Sequence, residues 1–230
     1  MPGIFLVLLA AASLLAQARY DILLKGGHVI DPKNKINSLM DVAIQDGKIA
    51  RLAPNIGASE AKRVVPVQGL YVTPGFVDLH VHVFQRPERK DLQQLNVQAD
   101  AHTFRSGVTT AVDAGTSGWR DFPEFRRRVI EQSRTRVLAF LNISASGMGD
   151  REGDLGDLDA EGAARAAQAN RDVVVGFKSA HFAGPGWESI DAAVKAGSAV
   201  NMPVMVDFGY LNQVRNLPAL LTEKLRPGDI

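Results

Sequence analysis

The stretch Thr73-Pro74-Gly75-Phe76-Val77-Asp78-Leu79-His80-Val81-His82 is the point at which the chain changes rhythm. Pro74-Gly75 punctuates it, and an apolar run follows that reads as a strand over Val77 to Val83. On that strand His80 and His82 are two residues apart, so both imidazoles project to one face and can serve one metal ion. A pair of hydrogen-bonded structural histidines gives the same pattern.

Upstream, from Tyr20 to about Thr73, the segments are short and β-rich: Ile22 to Leu24, Val29-Ile30, Val42 to Ile44, Ile49 to Leu52 and Val64 to Val67. Asp46-Gly47 is a hairpin signal. The stretch is too small to be a convincing domain alone, so residues 19–72 are expected to be part of a small β-sandwich completed by strands from elsewhere in the gene.

Downstream, strand and helix patterns alternate, which calls for a parallel sheet over residues 73–230. The predicted helix from about Asp91 to Ser106 closes at Gly107. Then come Val108 to Asp113 with a helix from Phe122 to Gln132, Val137 to Ile143 with Ala160 to Asn170, Val173 to Lys178 with Glu188 to Ala196, and a fifth strand over Pro203 to Asp207. Asp121 with Glu124 reads as a capping box, and Gly197 as a helix terminator. An open doubly wound sheet and the front of a (β/α)8 TIM-type barrel share this periodicity. The polar residues favour the barrel, because His80, His82, Asp113, Asn142, Lys178 and Asp207 all fall at or near strand C-termini, where such barrels gather functional groups. No glycine-rich phosphate turn follows the first strand. The acidic, glycine-rich stretch from Gly147 to Gly162 lacks a calcium-loop ligand pattern and reads as a surface loop.

The string from Thr73 to His82 resembles the opening of the catalytic barrel in the amidohydrolase superfamily, in its dihydroorotase-like and deacetylase-like branch. The resemblance extends to Asp21–Asp31 and Asp46-Gly47-Lys48-Ile49, to Gly107-Val108-Thr109-Thr110, and to Val174-Val175-Gly176-Phe177-Lys178. It implies a metal-dependent hydrolase of amide or ester bonds in a small acylated substrate, using two divalent ions, zinc by preference. His80 and His82 would ligate the first ion. Lys178 would be carboxylated by carbon dioxide and bridge both, against the simpler reading of a lysine snorkelling from a strand end. The family commonly has a histidine where Asp207 stands, so Asp207 is either a replacement oxygen ligand or an aspartate that orients a neighbour. Asp113 and Asn142 could orient ligands or bind substrate, or only satisfy local backbone groups, and His181 could meet substrate or be a surface histidine. His28 and His102 read as structural.

Composition narrows the alternatives. The 230 residues are 46% apolar and 22% charged with net charge +1, enough for a sizeable core and without a basic face for nucleic acid. There is no cysteine, which excludes thiolate ligands and a lipid-anchored cysteine. Ile4 to Leu15 is an apolar run followed by Ala16-Gln17-Ala18, the pattern of a signal peptide over residues 1–18, so export without a stable membrane anchor is expected. A homo-oligomer is left open. Arg226-Pro227-Gly228-Asp229-Ile230 reads as a turn into another strand; five of eight strands leave an open edge. The expectation is therefore a piece of a longer product, inactive alone, with its general base beyond Ile230. A non-catalytic, metal-free relative acting as an interaction protein is the rival reading.

Overall fold

The computed structural model describes residues 18–86, 96–207 and 212–230. Most of the expected signal peptide and the expected helical residues Asp91 to Leu95 lie outside them. Among the described residues no helix is long and apolar enough to cross a membrane. Two compact units divide between Pro74 and Gly75.

The first unit is a single five-stranded mixed sheet. Strand β1 (Tyr20–Asp31) runs antiparallel to β2 (Ile36–Gln45), which returns as β3 (Lys48–Ala53); β4 (Ala61–Pro66) and β5 (Tyr71–Val72) lie parallel to β1. Asp46 and Gly47 turn the β2–β3 hairpin with φ of 51° and 70°, the left-handed pair that an Asp-Gly turn accommodates. The two short strands expected at Ile22–Leu24 and Val29–Ile30 are one long strand. A bulge between Leu24 and Gly27 bends it, with Gly26 at φ 77°. Buried Asp41 secures the bulge by accepting from the Gly26 amide at 2.7 Å and from Lys25 Nζ at 2.6 Å. Tyr20, Leu23, Ala43 and Ile56 form the core of this unit.

In the second unit β6 (Phe76–Val81), β7 (Val108–Ala114), β8 (Arg136–Asn142), β9 (Val174–Ser179) and β10 (Val204–Val206) are all parallel and adjacent in chain order. A doubly wound sheet reverses its strand order part-way, whereas a barrel proceeds in sequence, so the expected five-strand front of a (β/α) barrel is what forms. Ile230 exchanges backbone hydrogen bonds of 2.8 Å with Val204 and Val206, so the turn from Arg226 brings the chain onto the free edge of β10.

The helices follow the predicted phase with three differences. Only α1 (Ala99–His102) and a tight turn over Phe104–Ser106 form in the described part of the first predicted helix. Asn96 and Val97 stay irregular because they bond the end of β6: the Val97 amide donates to His82 O at 2.9 Å and Asn96 Nδ2 to Phe84 O at 3.0 Å. Helix α2 (Phe122–Phe125) continues as a wider turn over Arg126–Ile130. After α3 (Ala160–Ala169), helix α4 (Glu188–Val200) runs past Gly197 and ends at Asn201, φ 52°. Gly197 is a close-packing position rather than a terminator, since a Cβ there would stand 2.7 Å from Met202 O.

Alternation along β8 sorts the core into two layers. Val137, Ala139 and Leu141 pack with Phe122, Phe125, Ala163, Ala167 and Ala193 beneath the helices. Phe140 packs with Val112, Ala114 and Met205 on the opposite face. Gly176 is glycine because the Phe140 ring occupies the space, 2.7 Å from where its Cβ would be. Asn142 shares the parity of Phe140 and so emerges on that inner face at the strand's C-terminal end.

Candidate metal centre

Lys178, on β9, is only 1% exposed, one of the largest fully buried side chains in the protein. Its aliphatic stem passes over Gly115, the turn residue after β7, where a Cβ would stand 2.7 Å from Lys178 Cβ and Cγ. Nζ ends 3.4 Å from His80 Nε2, 3.5 Å from Asp207 Oδ2 and 3.7 Å from Met205 Sδ. His80 Nε2 in turn lies 3.7 Å from Asp207 Oδ2. Three of the predicted ligands, from β6, β9 and the end of β10, therefore meet at one point.

His82 stands beside them, its ring centroid 5.7 Å from that of His80. Its Nδ1 hydrogen-bonds Thr116 Oγ1 at 2.7 Å, which orients the ring and leaves Nε2 as the nitrogen available to a ligand. Burial pushes the His82 imidazole below its ordinary pKa, with Asp113 opposing. Burial likewise lowers the Lys178 ammonium, with Asp207 opposing. Both shifts favour the neutral side chain, the form that binds metal or, for lysine, reacts with carbon dioxide. Among the described residues no three His, Asp or Glu side chains close on one point. One imidazole and one carboxylate, His80 and Asp207, converge with Lys178 while His82 stands beside them, and the donor chemistry fits a divalent cation once the lysine amine is neutral and modified.

The other candidates separate. Asp113 is fully buried and accepts from the amides of Val83 at 2.8 Å and Thr116 at 2.7 Å, so it is occupied with local backbone. Burial raises its pKa against those two donors. Asn142 donates to Gly115 O at 2.9 Å and to Glu152 Oε1 at 2.7 Å. His181 bonds Glu152 Oε2 through Nδ1 at 3.1 Å, and this bond raises its pKa. In the first unit His28 bonds Asn37 at 2.6 Å, and in the second His102 ends α1.

Sequence reasoning missed Glu152. The stretch Gly147–Gly162 runs at the surface through Asp150, Arg151 and Gly153 to Gly156, but two of its acids are withdrawn: Glu152 is 4% exposed and Asp157 fully buried. Asp157 accepts from Ser144 Oγ at 2.6 Å, the Ser146 amide at 2.9 Å and Arg120 at 2.8 Å. Acidity reads as solvation in a sequence, whereas Glu152 and Asp157 are buried because partners from other segments compensate them. Buried Arg86 adds a clasp, donating to Ser146 O at 2.8 Å and to Met148 O.

Asp121 stands at the start of α2 without capping it. Its carboxylate turns instead to Ser117 Oγ at 2.8 Å and Arg86 at 3.0 Å. Burial raises its pKa to about 6, with Ser117 and Arg86 opposing. The unfolded value is near 3.8, so between about pH 4 and 6 the folded chain retains a proton that the unfolded chain has released. This group's contribution to stability therefore falls as pH rises through that window and is level above it. Urea midpoints of wild type and Asp121→Asn are expected to show it as a decline of the wild type relative to the variant from pH 4 to 6; parallel profiles would refute it.

Comparison with known proteins extends the geometry. The model of the Amidohydrolase family matches residues 71–214. The chain is 30% identical over 211 residues to a deacetylase from Agrobacterium fabrum, covering 86% of this chain and 49% of that protein. Among solved structures it is similar to a dihydroorotase, with TM-score 0.73 and 28% identity over 90% of this chain and 56% of the other. It is also similar to an adenine deaminase, with TM-score 0.70 and 30% identity over 84% and 51% of the two chains. The chain spans about half the length of the curated relatives it matches.

Proposed function

Because the chain belongs to the amidohydrolase family, we propose that it carries the metal-binding side of a hydrolase that cleaves acyl bonds, amide or ester, in small acylated substrates. The observation that carries the reading is the convergence of His80, Asp207 and buried Lys178 within 3.4–3.7 Å at the C-terminal ends of parallel strands. His80 and His82 would hold one of two divalent ions, zinc by donor type; Lys178, as its carbamate with carbon dioxide, would bridge both, and Asp207 would complete the second. Ions held there supply Lewis acidity, lowering the pKa of water and polarising a carbonyl.

The protein's own residues prepare that centre. Burial keeps the Lys178 amine receptive to carbon dioxide, Thr116 fixes the His82 ring, and Gly115 admits the lysine stem. Deacetylation is favoured within the class by the Agrobacterium relative, which is a deacetylase. The apolar run Ile4–Leu15 before Ala16-Gln17-Ala18 supports export, away from cytosolic pyrimidine synthesis.

The test is elemental analysis of protein expressed from the full native reading frame, followed by hydrolysis assays on acetylated esters and amides. About two zinc-like ions per chain with acyl hydrolysis is the expected result, given that such sites bind metal as neutral or anionic ligands. Folded protein that takes up no metal when offered zinc and bicarbonate would overturn the reading.

A further inference from the structure

Glu152 is a buried carboxylate in a segment with no regular structure, and it is held from both sides. Oε1 accepts from Asn142 Nδ2 at 2.7 Å; Oε2 receives the Gly149 amide at 3.4 Å and faces His181 Nδ1 at 3.1 Å. Asn142 pairs in register with Lys178 on the neighbouring strand and also donates to Gly115 O, the turn that the lysine stem crosses. The carboxylate is thus joined through one side chain to the strand beside the lysine's and to the turn under its stem.

His181 comes three residues after Lys178 with φ 51°, a left-handed backbone that is uncommon for histidine. Its loop is held there by Arg215, itself buried, which donates to Phe182 O and to Gly184 O at 3.0 Å. Among the described residues Nε2 of His181 has no hydrogen-bond partner, and the side chain is half exposed. An outlying backbone, a buried carboxylate and a buried arginine all serve to aim one imidazole, and such outliers concentrate at functional sites.

We propose that Glu152 is a positioning residue for the acyl hydrolysis proposed above: it fixes His181 through Nδ1 so that Nε2 is presented to a polar group of the bound substrate. The inference rests on that hydrolase reading. With Nδ1–H given to Glu152, Nε2 accepts a hydrogen bond in the neutral ring and donates one in the doubly protonated ring, the form that the Glu152 bond favours.

The experiment uses the full-length zinc-loaded protein, with 4-nitrophenyl acetate as the probe, and compares Glu152→Gln, His181→Gln and the double variant. Each single change is expected to lower kcat roughly ten- to hundredfold with KM and zinc content little changed, the scale typical of partners that orient a functional group. The double variant should lose no more than either single one, because both break the same arrangement. Nitrogen resonances of the His181 ring, assigned by their absence in His181→Gln, should move in Glu152→Gln. His181→Gln alters a half-exposed side chain and keeps the test open if Glu152→Gln folds poorly. Losses that multiply in the double variant, or unchanged kcat and ring resonances in Glu152→Gln, would overturn the proposal while wild-type hydrolysis stands. Wild-type protein that binds zinc and hydrolyses no acetyl ester or amide would instead defeat the hydrolase reading, and the positioning role with it.

Discussion

Lys178→Met in the full-length protein is expected to abolish binding of the bridged metal pair and to lower acyl hydrolysis on the order of a thousandfold, the scale of losing one preorganised electrostatic contact to the reacting group. Methionine keeps the length of the stem and removes the nitrogen. The lysine nitrogen has poor compensation for its burial: its nearest partners are His80 Nε2 at 3.4 Å, Asp207 Oδ2 at 3.5 Å and a thioether. A buried charge so weakly satisfied costs stability, and exchange for an apolar side chain of like volume is often neutral or favourable by about 1–4 kcal/mol. Metal-free Lys178→Met should therefore melt at or above the temperature of metal-free wild type. Asp207, left without its cation, is 38% exposed at its side chain and remains solvated. Elemental analysis and a melt in chelator decide the matter together. A variant that loses stability and keeps its metal would make Lys178 a structural residue.

Gly115→Ala should cost about 2–5 kcal/mol, combining a left-handed conformation unfavourable to alanine with overpacking. At φ 85° the backbone is in the region glycine tolerates, and the new methyl would meet the first two carbons of the Lys178 side chain at 2.7 Å. The turn has little room to relax, because Gly115 O is already bonded to Asn142 Nδ2. Weaker zinc binding is expected alongside the stability loss, since any accommodation displaces Lys178. Gly153→Ala serves as the control: it lies in the same unit with open space where its Cβ would be. Surface changes of that kind usually stay within about 0.5 kcal/mol. Equal urea midpoints for the two variants would show that the glycine is not needed for the lysine's passage.

Much of this arrangement is legible in the chain before it folds. Alternating strand and helix periods mark the parallel sheet, Asp46-Gly47 marks the hairpin of the first unit, and histidines two apart on a strand must share a face. Polar residues at strand C-termini pick out His80, His82, Asp113, Asn142, Lys178 and Asp207, and of these His80, Lys178 and Asp207 converge in space. These are local properties, fixed by covalent spacing and the repeat of each element.

Other features depend on partners remote in sequence, and tertiary structure alone decided them. Strand order, sequential from β6 to β10, separates a barrel from an open sheet with the same periodicity. Gly26-Gly27 looks like the end of a strand and becomes a bulge because Asp41 on the neighbouring strand binds it. Asp121 reads as a helix cap and turns away because Arg86, 35 residues earlier, offers a charge. Glu152 reads as one more acid in a solvated loop. It enters the site because Asn142 and His181, 10 and 29 residues away, supply the hydrogen bonds without which a carboxylate does not leave water.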